Sequence, residues 1–398
     1  MTKRRDNKGR VLREGECQLT DGRYRYKYTD NFGVQRCVHS YRLDVHDPVL
    51  SGRKRGPSLR ELEKKIQADL FDNISADGGN LTVLDLVQKY IATKTNVRPT
   101  TAKGYVTVVN ILKKDPLGST RIDKIRISDA KLWFIKQQKE EGRGYSSIHT
   151  IRGVLRPAFQ MAVDDDLIRK NPFGFQLVDV IINDSIKREA ISRDDERRFL
   201  NFIKEDSHYR RYYEGIYILL KTGLRISEFC GLTIKDINFE EHVINIDHQL
   251  MKNGSKGYYI QKTKTDSGTR VLPMTPDVEE CFRKIIERRK TPIKEPVIGG
   301  HMGFLYLDIN GNPMYSLHWE KYFKFIVDKH NSIYKEQLPK ITPHMCRHTY
   351  CTNMAKSGMP PKVLQYLMGH SEIGVTMNTY THVGLEEAKA VVSRLATG

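Results

Sequence analysis

Near its C-terminus the chain reads LMGHSEIGVTMNTYTHV, residues 367–383, with Tyr380 set among Thr, Asn and Thr and no apolar side chain beside it. A tyrosine ordinarily buries its ring and gives its hydroxyl a partner. This setting marks an exposed, chemically used hydroxyl; the plainer alternative is a half-buried aromatic. Three further segments place cations and imidazoles where an anion could be held. TGLRISEFCGL, residues 222–232, puts Arg225 on a predicted helix among Leu224, Ile226 and Phe229, which suits a preformed anion site. Its plainer alternative is a local Arg225–Glu228 pair, worth roughly a few tenths of a kcal/mol. TPHMCRHTY, residues 342–350, offers Thr342 as N-cap and Pro343 at the first helical position, so His344 and Arg347 share one face near the positive end of a helix. His344 and His348 are also spaced like zinc ligands on a helix. Met345 stands where a catalytic Glu would be needed, however, and no third ligand follows at suitable spacing, which argues against a metal. PPKVLQYLMGH starts a helix with proline, stops it at Gly369 and leaves His370 just past the C-cap, where a backbone-bonded loop histidine is the plainer reading.

These residues need elements to hold them, and the length of 398 residues predicts two or three domains. Residues 1–75 read as a small β-rich domain. CQLTDGRYRYKYTDNFGVQRCVHSYRL alternates aromatic or apolar residues with basic ones, and its exposed face is expected to carry Arg23, Arg25, Lys27 and Arg36. SLRELEKKIQADLF then shows helical spacing through Leu59, Leu62, Ile66 and Leu70. A solvated basic sheet edge is the plainer alternative. The polar stretch 73–80 suits a linker.

Residues 80–175 read as an all-α domain of helices that each follow a Ser or Thr able to cap; in the last of them Ile148, Ile151, Leu155, Ala158 and Ala162 fall on one face. Residues 185–398 read as a mixed α+β, mostly helical domain with a strand and hairpin group around VINIDHQL and GYYIQKTKTDSGTRVLPM. The whole is a multidomain chain with no internal repeat.

The formal charge of +18 calls for a polyanionic partner, nucleic acid first. No apolar run of the roughly 20 residues a membrane span needs occurs, nor a signal-peptide core or lipidation motif, so a soluble, cytoplasmic protein is expected. Six cysteines, at 17, 37, 230, 281, 346 and 351, form no CxxC pair and read as free thiols.

Taken together and in order, TGLR-x-x-E, H-x-x-R-H, L-x-G-H and a tyrosine about ten residues on resemble the tyrosine recombinase (integrase) family from about residue 190 to the end. The two upstream segments resemble, more loosely, the arm-site and core-site DNA-binding domains of phage-type and conjugative-transposon integrases. The resemblance implies an active site of Arg225, Lys264, His344, Arg347 and His370, with Tyr380 as nucleophile. Lys262 lies on the same strand face as Lys264 and is the alternative lysine. Cys346 stands where the family more often has a larger apolar residue, which bears on packing rather than mechanism.

The resemblance further implies site-specific cleavage and rejoining of double-stranded DNA through a 3′-phosphotyrosyl link, integrating and excising a mobile element without metal, ATP or other cofactor. It implies a homotetramer on core and arm sites, an accessory DNA-bending or excision protein, and a terminal helix in GLEEAKAVVSRLATG that docks on a neighbouring protomer. A type IB topoisomerase and a catalytically inactive DNA-binding regulator are the rival readings.

Overall fold

Alternating tyrosines set the first sheet. The computed structural model describes residues 4–30, 33–49, 52, 55–71, 81–95, 97–185, 189–254, 257–263, 266–289, 294–380 and 393. It divides into two compact units, residues 1–186 and 187–398. In the first, strands β1 (Glu16–Gln18), β2 (Tyr24–Thr29) and β3 (Gln35–Ser40) form an antiparallel sheet in that order. Helix α1 (Leu59–Phe71) covers one face. Its Leu59 meets Tyr24, Tyr26, Leu12 and Leu43 in a small core, with Tyr28 and Val38 packed against it.

Cross-strand partners share a face, and the register pairs Arg25 with His39, Lys27 with Cys37 and Tyr28 with Arg36. Arg25, Lys27, Cys37 and His39 therefore lie away from α1, and Arg23 precedes the strand at the same parity. Arg36 does not join them. It lies on the helix-covered face, where its Nε donates to Asp30 at 2.7 Å, so the expected four-residue basic face holds Arg23, Arg25 and Lys27 only.

Helices α2 (Val83–Ala92), α3 (Pro99–Lys114), α4 (Pro116–Ser119), α5 (Ile127–Lys139) and α6 (Tyr145–Asp164) follow. The stripe Ile148, Ile151, Leu155, Ala158 and Ala162 of α6 is buried throughout, beside Phe134, Phe159 and Phe173. Capping departs from expectation. Thr82 caps α2 in a reciprocal box with Asp85, but Arg98, Arg126 and Gly144 sit at the N-caps of α3, α5 and α6, with Pro99 preorganising α3. The linker predicted at 73–80 lies outside the described residues.

The second unit opens with α7 (Arg193–Glu205), α8 (Tyr213–Thr222) and α9 (Ile226–Gly231). Then come β4 (Ile237–Asn238), β5 (Val243–Ile246), β6 (His248–Asn253), β7 (Gly257–Lys262) and β8 (Arg270–Pro273). Strands β4, β5 and β8 make one antiparallel sheet, while β6 and β7 form a separate hairpin. Helices α10 (Pro276–Arg288), α11 (Ser316–Ile333), α12 (Pro343–Lys356), α13 (Pro361–Met368) and α14 (Ile373–Tyr380) complete it. Phe199, Ile216, Leu219, Phe229, Phe282, Trp319 and Phe323 are among the buried side chains of its main core.

No helix among the described residues is long and apolar enough to cross a membrane. All six cysteines are free thiols.

Candidate active site

Two left-handed glycines shape the site. Gly223, at φ 65°, ends α8, and Gly369, at φ 60°, ends α13. A Cβ on Gly223 would lie 2.5 Å from the Tyr350 ring, and one on Gly369 would lie 2.9 Å from the Arg270 guanidinium, so each position requires glycine on both backbone and packing grounds.

Ending α8 at Gly223 places Arg225 not on a helix, as its sequence suggested, but in extended backbone at the N-cap of α9. There the backbone N–H of Arg225 donates to Glu228 at 3.0 Å and its Nη1 to the same carboxylate at 2.7 Å. The local pair forms, and it is not the whole story: Nη2 of Arg225 reaches across the fold to the Gly369 carbonyl at 2.8 Å.

Arg347 arrives from the first turns of α12. Thr342 caps that helix, accepting from Met345 N–H at 3.3 Å, with Pro343 following as expected. The Arg347 side chain is buried; Nη1 donates to the Gly223 carbonyl at 2.7 Å and Nη2 to the Met368 carbonyl. Burial, then the like charges of Arg225 and Arg270, pull its pKa down to about 9 against the help of Glu228. His344 sits exposed one turn before it on the same helix.

Arg270 was not foreseen. Its side chain is fully buried, with Nη2 on Glu228 at 2.9 Å, Nη1 on Glu228 at 3.2 Å and on the Gly268 carbonyl at 3.0 Å, and Nε on the Leu367 carbonyl at 2.8 Å. The carbonyls of Leu367, Met368 and Gly369 thus receive Arg270, Arg347 and Arg225 in turn. These orphan acceptors at the negative end of α13 are where cations are most favourable. Burial alone would raise the Glu228 pKa, but Arg270, then Arg225 and Arg347, hold it below the usual carboxylate range.

His370 follows this turn. Its Nδ1 is 2.9 Å from the Thr376 hydroxyl, and its backbone N–H donates to the Gln365 carbonyl. Burial, then Arg347, Arg225 and Arg270, lower its pKa to about 4, so it is neutral at pH 7.

Tyr380 ends α14, and it is not openly exposed. The ring is half-buried beside Cys351, Ala355, Leu364 and Met368, and its hydroxyl donates to the Met359 carbonyl. Burial and the neighbouring Cys351 raise its pKa. Polar neighbours in sequence did not mean solvent, because the helix turns the ring onto α12 and α13. Lys262 is exposed at the end of β7; Lys264 and the tail 384–398, Ser393 apart, lie outside the described residues.

Metal-ligand geometry occurs elsewhere, in Asp236, Asp247 and His248. Both His248 ring nitrogens are engaged, Nδ1 with Asp247 at 2.5 Å and Nε2 with the Gly231 carbonyl at 2.8 Å. Asp236 accepts from the Thr233 N–H and hydroxyl.

A family model described as the phage integrase family matches residues 189–387, and one described as the DNA binding domain of Tn916 integrase matches residues 1–70. The transposase from transposon Tn916 of Enterococcus faecalis is 43% identical over 393 residues, covering 99% of this chain and 96% of the relative. The transposase from transposon Tn1545 of Streptococcus pneumoniae matches with the same identity and coverage. A solved structure of the Tn1549 transposon integrase, an arginine-to-lysine variant in complex with a circular intermediate DNA, is 43% identical with a TM-score of 0.75, covering 79% of this chain and 100% of that one.

Proposed function

The chain belongs to the phage integrase family, and we propose how its site carries out that family's reaction. It is a tyrosine recombinase, a site-specific enzyme that integrates and excises a transposon. In our reading Tyr380 attacks the scissile phosphorus, forming a 3′-phosphotyrosyl bond as the bond to the 5′ oxygen breaks. The link conserves the energy of the phosphodiester, so rejoining is the reverse attack by a 5′ hydroxyl and consumes no ATP.

The observation that carries this reading is the convergence of Arg225 and Arg347 on the turn that presents His370. A guanidinium has five N–H donors, more than the two fold-holding bonds described for each arginine. The remainder can meet non-bridging phosphate oxygens in a fixed fork, and each such contact is worth about 10² to 10³ in rate. His370, kept neutral, has one ring N–H. When the Thr376 hydroxyl donates to Nδ1, that N–H is on Nε2 and serves the phosphate. Lys264 supplies the proton to the leaving 5′ oxygen, and His344 accepts or shuttles the tyrosine proton. Tyr380 must first release Met359, so cleavage begins with a local rearrangement of α14.

Residues 1–75, 80–175 and 185–398 then act as arm-site, core-site and catalytic domains. Four protomers assemble on DNA, the tail of each on its neighbour, with an accessory DNA-bending or excision protein setting direction; the bacterial cytoplasm is the setting. The DNA is double-stranded, of the kind bound by the Tn1549 relative, a circular intermediate or a transposon end.

Incubating the protein with nicked suicide duplexes built from transposon ends tests this. A covalent adduct mapped to Tyr380 is expected. Absence of an adduct would return the chain to a DNA-binding regulator, and relaxation of plasmid lacking any recombination site would return it to a topoisomerase.

A further inference from the structure

We infer that Arg270 is a positioning residue for strand cleavage: it is the principal counterion of Glu228, and by satisfying that carboxylate it leaves the charge and fork of Arg225 for the scissile phosphate. The inference rests on the recombinase reading of the same site.

Glu228 is buried, and each of its two oxygens is shared by Arg225 and Arg270. Oε2 accepts the backbone N–H of Arg225 at 3.0 Å and Nη2 of Arg270 at 2.9 Å; Oε1 accepts Nη1 of Arg225 at 2.7 Å and Nη1 of Arg270 at 3.2 Å. A buried carboxylate with a single partner draws that partner fully into a bidentate pair, because any charge left uncompensated there is costly. Arg270 supplies the second partner. Its side chain is wholly buried, whereas that of Arg225 keeps 37% of its surface open. The division of labour follows from access: the arginine that can reach no ligand shares Glu228, so the partly open Arg225 gives that carboxylate one guanidinium nitrogen, Nη1, rather than two.

Charge counting points the same way. Three arginines and one glutamate leave the cluster two positive charges, and a phosphodiester passes from one negative charge to two as the fifth oxygen joins phosphorus. Deleting Arg270 would leave one positive charge, enough for the ground state and short for the transition state, so the loss falls on the rate rather than on binding. The backbone contacts of Arg270 add geometry. Nε on Leu367 and Nη1 on Gly268 tie strand β8 and the turn Asp266–Gly268 to the end of α13, one residue before the carbonyls that hold Arg347 and Arg225.

The test compares Arg270→Met, Arg270→Lys and the double variant Arg270→Met/Glu228→Gln in the full chain. Single-turnover adduct formation on a nicked suicide duplex, affinity for the same duplex, and thermal unfolding are measured. Arg270→Met should slow adduct formation by about 10²-fold at unchanged DNA affinity. Removing the carboxylate as well should recover about tenfold, since Arg225 is released. Arg270→Lys, which keeps the charge, should fall between wild type and the double variant.

A scaffold role without electrostatics predicts the reverse for the double variant, which would be as slow as or slower than Arg270→Met; that result overturns the inference, as does wild-type cleavage by Arg270→Met. If Arg270→Met does not fold, Arg270→Lys and the double variant decide: loss of cleavage in folded Arg270→Lys to below that of the double variant overturns it. Failure of the wild-type chain to form any adduct is a different outcome, which removes the recombinase reading itself.

Discussion

The Tyr380 hydroxyl donates to the backbone carbonyl of Met359, in the loop between α12 and α13. The proposed nucleophile is therefore held by its own domain. Tyr380→Phe removes this bond together with the nucleophile, so it should abolish the covalent DNA complex while leaving DNA affinity unchanged and lowering stability by only about 1 kcal/mol. Adduct yield on a denaturing gel, set beside a denaturant titration, checks both halves. A normal adduct yield reassigns the nucleophile.

Arg225→Lys and Arg347→Lys should both lose cleavage, since an ammonium cannot reproduce the fork, but they should differ in stability. Arg347 is buried and satisfies two carbonyls, those of Gly223 and Met368. Lysine can serve one of them well, and a buried acceptor left unsatisfied costs about 1–3 kcal/mol. The Arg225 side chain is partly open, and its replacement should leave the unfolding midpoint close to wild type. Equal destabilisation by the two variants would contradict this assignment of roles.

The difference between those two arginines was not legible in the sequence. Arg225, Arg347, His370 and Tyr380 stand in linear motifs from which their proposed roles were read, and helix punctuation at Thr342, Pro343 and Gly369 could be read from local backbone preference. Arg270 could not be read so. It lies in RVLP, a strand segment whose inward positions are Arg270 and Leu272, and only the pairing of Ile246 with Arg270 reveals that a charged residue faces the core. Its one sequence signal was parity with Leu272. Arg36 failed for a related reason: strand parity does not carry across a hairpin until the turn fixes the register, and here the register turned Arg36 toward the helix.

His370 gives the fold a pH dependence. Its folded pKa of about 4 lies below the ordinary histidine value of 6.5. Between those values the unfolded chain binds more protons than the folded one, so stability is complete above pH 6.5 and declines as the pH falls toward 4. The full shift corresponds to about 3 kcal/mol, and partial solvent access at the ring reduces this to about half. Denaturant titrations at pH 7 and pH 4.5 should show a loss in wild type that is smaller by about 1 kcal/mol in His370→Asn. Identical losses in the two proteins would mean that His370 is not the group titrating.

The two faces of the N-terminal sheet differ in what they carry, which lets a role in DNA contact be tested apart from fold support. Residues 1–43 hold 11 Lys and Arg against 5 Asp and Glu, and a sheet of this kind has the width to enter a major groove. Arg25 and Lys27 stand on the face away from α1, whereas Arg36 is tied to Asp30 on the covered face. If the open face meets arm-site phosphates, Arg25→Ala with Lys27→Ala should weaken arm binding and reduce the slope of log affinity against log salt by about 2, while Arg36→Ala should leave that slope unchanged and lower stability instead. Holding one site raises the effective concentration at the other to about mM when the tether spans them. A chain starting at Asn80 should accordingly cleave core sites yet fail to bridge arm and core DNA. Fluorescence anisotropy on arm duplexes over a salt series, with bridging followed by gel shift on DNA carrying both sites, reads these outcomes. An unchanged slope in the double variant, together with full recombination by the truncated chain, would reduce the sheet to a basic appendage.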